Sequence, residues 1–153
     1  MNEVKLLIQQ RKPHVLLIEE ANLWKHHDIK QVQVEGYKLY TTSMINNNNC
    51  KCSRAVMYIG DKIRAKQVHN LQLEDFSCIW VEVGLPYAKK FLLGGVYREH
   101  GHFKLDRNDD SCTSDGESQE LRWAKFVDKW GEALDRYQEV VVTGDINIDL
   151  SQN

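Results

Sequence analysis

Val140-Val141-Val142-Thr143-Gly144-Asp145-Ile146-Asn147 is a β-branched apolar run that stops at a glycine and then presents Asp and Asn two residues apart. β-Branched residues favour the pleated strand, glycine lets the backbone turn sharply at its end, and residues two apart in an extended segment face the same way. Glu139 to Thr143 is therefore predicted to be a buried strand, with Asp145 and Asn147 at its carboxyl end. Val15-Leu16-Leu17-Ile18-Glu19-Glu20 repeats the design near the start of the chain. Its short continuous apolar run predicts a strand buried on both faces, and charges begin where burial stops. In α/β sheets, groups at strand carboxyl ends project into a shared crevice. Glu20 and Asp145 bring hard oxygen ligands suited to a divalent cation, and Asn147 a neutral donor that can hold a phosphate oxygen without repelling it. Taken residue by residue, the pattern also fits polar strand exits and ordinary Asn and Asp turns.

Outward from these two strands, Val4, Leu7, Ile8 and Arg11 follow helical spacing, and Lys12-Pro13 ends that helix because proline cannot continue the hydrogen-bond ladder. Tyr37 to Thr42, Ala55 to Ile59, Ala65 to Leu71, Cys78 to Val83 and Phe91 to Tyr97 read as strands, mostly hairpin-connected, separated by Gly, Asn, Asp and Pro signals. Asn46 to Asn49 reads as a solvated loop. Asp106 to Glu120, with six acids, one Arg and several Ser and Gly, reads as a mobile exposed one. Trp123, Phe126, Val127, Trp130 and Leu134 are spaced i, i+3, i+4, i+7 and i+11 among charged residues, which predicts an amphipathic helix of about four turns. Helix-strand, several antiparallel strands, then helix-strand places the chain in the α/β class as a layered sandwich.

The 153 residues are 42% hydrophobic and 27% charged, the composition of a globular chain, and the length suits one domain. Lys and Arg number 20 against 22 Asp and Glu, a net charge of −2, which excludes nucleic-acid binding by bulk positive charge. Contact with nucleic acid has to come from a local site. No apolar run approaches the ~20 residues of a membrane helix, so no membrane partner is expected. The first residues lack the basic start, apolar middle and small-residue cleavage site of a secretory signal, which predicts an intracellular protein, nuclear or cytoplasmic. Cys50, Cys52, Cys78 and Cys112 lack zinc-ligand spacing and read as free thiols of a reducing compartment.

Five stretches carry a more specific signal, in order and over nearly the whole chain. Lys12-Pro13-His14-Val15-Leu16-Leu17-Ile18-Glu19-Glu20-Ala21-Asn22-Leu23 is similar to a "KPD-apolar-QET-L" signature. Ser53-Arg54-Ala55-Val56-Met57-Tyr58 is similar to an "SRGG-apolar" strand, and Ile79-Trp80-Val81-Glu82-Val83 to a "W-V-E-V" strand. Gly94-Gly95-Val96-Tyr97-Arg98 is similar to a "VYRPP" strand end, and Val140 to Leu150 to a "GDFNIDL" motif. Together they resemble the endonuclease/exonuclease/phosphatase superfamily, and their wording is most like the endonuclease domain of non-LTR (LINE-type) retrotransposons.

The resemblance implies a four-layer α/β sandwich of the deoxyribonuclease I-like type and a Mg²⁺-dependent enzyme, Mn²⁺ serving in its place, that hydrolyses DNA phosphodiester bonds. By position, Glu20 matches the metal-binding glutamate and Tyr97 a phosphate-contacting tyrosine. Asp145 matches the aspartate that orients or activates water or protonates the leaving group, and Asn147 the asparagine that holds phosphate. The set suits the reaction, because a divalent cation and neutral donors offset the negative charge that phosphodiester hydrolysis puts on oxygen.

Departures from the family pattern include Glu19 for Gln, Ile146 for Phe, and Arg54-Ala55 for Arg-Gly-Gly. The family's first strand and its late Asp and Ser-Asp-His have no match here, and His26, His27, His100 and His102 fall in predicted loops. Residues 1–153 are accordingly expected to form a partial domain, only the first sheet with its helices, without a second domain. The missing C-terminal half and a downstream reverse transcriptase domain are the partners expected in the full-length protein, alongside DNA, and the chain by itself is expected to be inactive. The alternatives are another phosphoesterase of the same fold, of phosphatase, sphingomyelinase or deadenylase type, or a non-catalytic remnant serving as an interaction module.

Overall fold

The computed structural model describes residues 2–24, 29–42, 52–74, 76–98 and 119–147. Helix α1 (Asn2–Arg11) is followed by β1 (Val15–Ile18), β2 (Leu23–Trp24), a single turn α2 (Ile29–Val32) and β3 (Tyr37–Thr41). Then come β4 (Cys52–Ser53), β5 (Val56–Gly60), β6 (Arg64–Gln67), a 3₁₀ turn at His69–Leu71, β7 (Ser77–Gly84), β8 (Phe91–Tyr97), helix α3 (Gln119–Arg136) and β9 (Val140–Asp145). The loop expected at Asn46 to Asn49, most of the one at Asp106 to Glu120, the four histidines named above, and Cys50 and Cys112 lie outside the described residues.

The strands form two main sheets. The first has the order β1-β5-β3, with β5 antiparallel to both neighbours; Met57 faces Leu17 on one side and Tyr40 on the other. The second has the order β6-β7-β8-β9, antiparallel as far as β8 and parallel between β8 and β9, where Tyr97 pairs with Asp145. A parallel neighbour requires a crossover, and α3 lies on it. A two-residue ladder joins β2 to β4.

Period-two alternation sorts the side chains into three apolar layers. Met57 and Ile59 of β5 meet Ile79, Val81 and Val83 of β7 and Leu93 of β8 between the sheets. Val56 and Tyr58, on the other face of β5, pack with Ile8 of α1 and Val32 of α2. Trp80, Leu92 and Val96, on the outer face of the second sheet, pack with Phe126 and Ala133 of α3. Phe126 sits among Phe76, Trp80, Trp123 and Trp130 at ring-centroid distances of 5.0 to 6.1 Å. The order helix, sheet, sheet, helix is a four-layer sandwich. The expectation that the chain holds only the first sheet with its helices is therefore corrected: strands of both sheets are present and pack face to face.

The Gly94-Gly95 pair makes both contacts of the second sheet close. A Cβ at Gly94 would lie 2.5 Å from the Trp80 ring, and one at Gly95 would lie 2.7 Å from Leu17 and 2.8 Å from Met57 across the sandwich. Two strands expected to be buried are less so. All four residues of β1 are half-buried, and in β9 Val141 is 49% exposed. Both lie at a sheet edge among the described residues, and an apolar run does not tell a central strand from an edge one. The α3 stripe is also shifted: Ala133 and Tyr137 join Trp123, Phe126 and Trp130 inside, whereas Val127 and Leu134 are exposed. Ala65 to Leu71, expected to be one strand, divides into β6 and the 3₁₀ turn.

Candidate functional site

The carboxyl ends of β1, β8 and β9 come together at one end of the sandwich, with the Ser53-Arg54-Ala55 segment between them. Beyond β1, Glu20 and Asn22 take φ of 52° and 45°. The left-handed region is costly for residues other than glycine, and here it aims Glu20 across the sheets. The Tyr97 hydroxyl donates to Glu20 Oε1 at 2.8 Å and accepts from Arg54 Nη2 at 3.2 Å. The Arg54 guanidinium also lies over the Tyr97 ring, 5.2 Å from its centroid. Tyr97 and Arg54 are buried, and the Ala21 N–H bonds the Arg54 carbonyl at 2.9 Å, tying the β1 exit to the same segment. Ser53 anchors it below, accepting from the Thr42 N–H at 3.1 Å and donating to the Ala55 carbonyl at 2.8 Å.

On the β9 side, the Asp145 N–H bonds the Glu19 carboxylate. Burial, opposed by that bond and joined by the charges of Asp145 and Glu20, holds the Glu19 carboxyl above the usual carboxylate range. Gly144 has φ 145°, and a Cβ there would collide with the Val96 carbonyl and stand 2.8 Å from Glu19 Oε1, so only glycine lets the Glu19 carboxylate approach this backbone. Past the glycine, Asp145 Oδ1 accepts the Asn147 N–H at 2.9 Å, and Asn147 Nδ2 donates to the Arg98 carbonyl at 2.6 Å. Burial, reinforced by the bond to Glu20 and opposed by Arg54, pushes the Tyr97 hydroxyl above its ordinary range, so it stays a protonated donor.

The four residues singled out from the sequence thus occupy one neighbourhood. Glu20 is bonded to Tyr97, Tyr97 is the ladder partner of Asp145, and Asp145 is bonded to Asn147. Two participants had no assigned role. Arg54 was visible only within the stretch similar to the "SRGG-apolar" strand, and Glu19 only as a departure from the family's Gln. Among the described residues no three His, Cys, Asp or Glu side chains are grouped so as to hold a metal ion between them. Magnesium accepts one or two protein carboxylates and keeps several waters. An exposed Glu20 carboxylate, with Glu19 and Asp145 adding negative charge beside it, meets that smaller requirement.

Solved structures share this arrangement of layers. The endonuclease domain of TRAS1, a telomere-specific non-LTR retrotransposon, superposes with a TM-score of 0.61 at 12% identity, covering 98% of this chain and 54% of that one. The chain shares the fold of about half of that domain. The mannosyl-6-phosphatase of Bacteroides thetaiotaomicron superposes with a TM-score of 0.56 at 14% identity, covering 99% of this chain and 57% of that one. The chain thus spans about half the length of each of these structures. No family model and no curated protein matches the sequence. No helix among the described residues is long and apolar enough to cross a membrane.

Proposed function

We propose that the chain is the N-terminal part of a magnesium-dependent endonuclease of retrotransposon type, cutting DNA phosphodiester bonds in the full-length protein. The observation that carries this reading is the junction in which buried Arg54 and Tyr97 present the exposed Glu20 carboxylate beside the Asp145-Ile146-Asn147 turn. Glu20 is the metal ligand in this reading, and magnesium or manganese, when bound, supplies positive charge against the phosphate oxygens. Tyr97 orients Glu20: its single hydroxyl proton is committed to the carboxylate, so its first task is to fix the ligand rather than to donate to phosphate. Asn147 has spent one of its two amide hydrogens on Arg98 and keeps the other for a phosphate oxygen. Asp145, exposed and held by the Asn147 N–H, is the group that orients water or returns a proton to the leaving oxygen.

The test is nicking of supercoiled plasmid by the full-length protein with Mg²⁺, with EDTA, and with Glu20→Ala. Open-circular product that requires the metal and disappears in the variant supports the endonuclease. Release of phosphate from a sugar monoester without nicking points to a phosphatase of the same fold, and neither activity to a non-catalytic interaction module. The 153-residue chain alone is expected not to nick, because it spans about half the length of the endonuclease domain it resembles and groups that act as one catalytic unit are non-additive.

A further inference from the structure

Arg98 enters the scheme above only as the acceptor of the Asn147 amide, yet it makes four hydrogen bonds at the β9 exit. Its N–H donates to the Asp145 carbonyl at 2.8 Å, one step beyond the Tyr97–Asp145 pair of the parallel ladder. Its Nη1 donates to the carbonyls of Ile146 at 3.3 Å and Asn147 at 3.2 Å. Its own carbonyl receives Nδ2 of Asn147 at 2.6 Å. One residue therefore engages all three carbonyls of the turn and the side chain of its last member. The guanidinium lies over the ring of Trp123 of α3, whose centroid is 5.6 Å away and which itself packs against Phe76 and Phe126.

We propose that Arg98 is the positioning residue of this site, clamping the Asp145-Ile146-Asn147 turn in place with Trp123 as its backstop. The proposal rests on the reading of that turn as part of a phosphoester site, although the clamp itself can be tested without activity. Among the described residues, a turn at the end of an edge strand, with Asn147 at φ 45°, has few other groups to hold its carboxylate and amide in one orientation. Arginine suits the task because one guanidinium nitrogen reaches both carbonyls while the flat group lies over an indole; lysine supplies the charge without the planar face. An arginine engaged this way is part of the scaffold, and the opposing reading is that it contacts DNA phosphate directly.

Hydrogen exchange followed by NMR on the 153-residue chain separates the two. In Arg98→Ala and Arg98→Lys, the Asn147 amide should exchange about tenfold faster or more, the scale of losing hydrogen bonds from a charged donor. Core amides of Trp80 and Leu92 should stay as protected as before, which excludes general unfolding. Unchanged Asn147 exchange in Arg98→Lys, with or without change in Arg98→Ala, would overturn the clamp as a device that needs the guanidinium on Trp123. In the full-length protein the expected result is a lower kcat with little change in KM for DNA. A raised KM, with the salt slope of DNA binding reduced by about one, would assign Arg98 to phosphate contact instead. Absence of nicking in every form would count against the endonuclease reading and leave the exchange result to decide the clamp.

Discussion

Replacing Tyr97 by Phe removes one oxygen and leaves the ring, 3% exposed, in its place between the sheets. The lost oxygen donated to Glu20 at 2.8 Å and accepted from Arg54 at 3.2 Å. A hydrogen bond to a charged partner contributes about 1.5–3 kcal/mol, and the solvent exposure of Glu20 screens this one toward the low end, near 1 kcal/mol. For a domain of this size that is a melting-temperature loss of roughly 2–4 °C. The informative assay is a double-mutant cycle in urea with Tyr97→Phe, Glu20→Ala and the double variant. The expected coupling is about 1 kcal/mol, because each single change already removes the shared bond. Additivity within about 0.3 kcal/mol would refute the reasoning: Tyr97 would then be no more than core filling, and the orientation assigned to Glu20 would lack its support.

Gly95→Ala should cost about 1–3 kcal/mol, because the new methyl meets Leu17 and Met57; Gly131→Ala, open on all sides within α3, should instead gain about 0.5–1 kcal/mol. Urea midpoints decide both, and a neutral Gly95→Ala would mean that the sheets are not so closely packed there. Burial raises the hydroxyl pKa of Tyr40, Tyr58, Tyr97 and Tyr137. Groups whose folded pKa is raised stabilise fully below the unfolded value of about 10 and progressively less above it. Denaturation midpoints should therefore hold to pH 9 and fall through pH 10 and 11, with a shallower fall in Tyr58→Phe. Titrating Mg²⁺ or Mn²⁺ should move or broaden the amide signals of Glu19, Glu20 and Asp145 at millimolar metal, and signals that stay still would argue against Glu20 as a ligand.

The strand ends were the legible part of the sequence. An apolar run closed by charge reports a strand exit wherever it lies, so Glu20, Asp145 and Asn147 could be found without knowing which strands neighbour one another, whereas Tyr97 came from the family resemblance. Sheet membership was hidden because pairing is non-local: nothing in Val15 to Ile18 or Ala55 to Ile59 says that β5 lies between β1 and β3, or that Gly95 will receive Leu17 from the facing sheet. The same limit explains why β1 and β9 were expected to be buried, since an edge strand differs from a central one only in the partner it lacks. In α3, Val127 and Leu134 fit the helical period but turned out to lie on the solvent side, because period alone fixes a stripe's width and not its centre. The role of Arg54 was hidden for a related reason. Its value lies in Tyr97, 43 positions away, and no spacing rule connects them.

Backbone strain gives an independent reason to regard this end of the sandwich as more than scaffold. Five described residues other than glycine have φ between 45° and 61°. Lys12 closes α1, its N–H bonded to Ile8, which is the ordinary left-handed end of a helix. Tyr87 sits at the tip of the β7–β8 hairpin, where tight turns require positive φ. The other three are Glu20, Asn22 and Asn147, and all follow the strand ends that meet around Tyr97 and Asp145. For Glu20 that conformation costs about 1 kcal/mol or more, whereas asparagine adopts it more readily. Neither helix capping nor hairpin geometry accounts for them. Their conformations place the Glu20 carboxylate and the Asn147 amide at the strand ends around Tyr97 and Asp145, as the proposed phosphoester site needs.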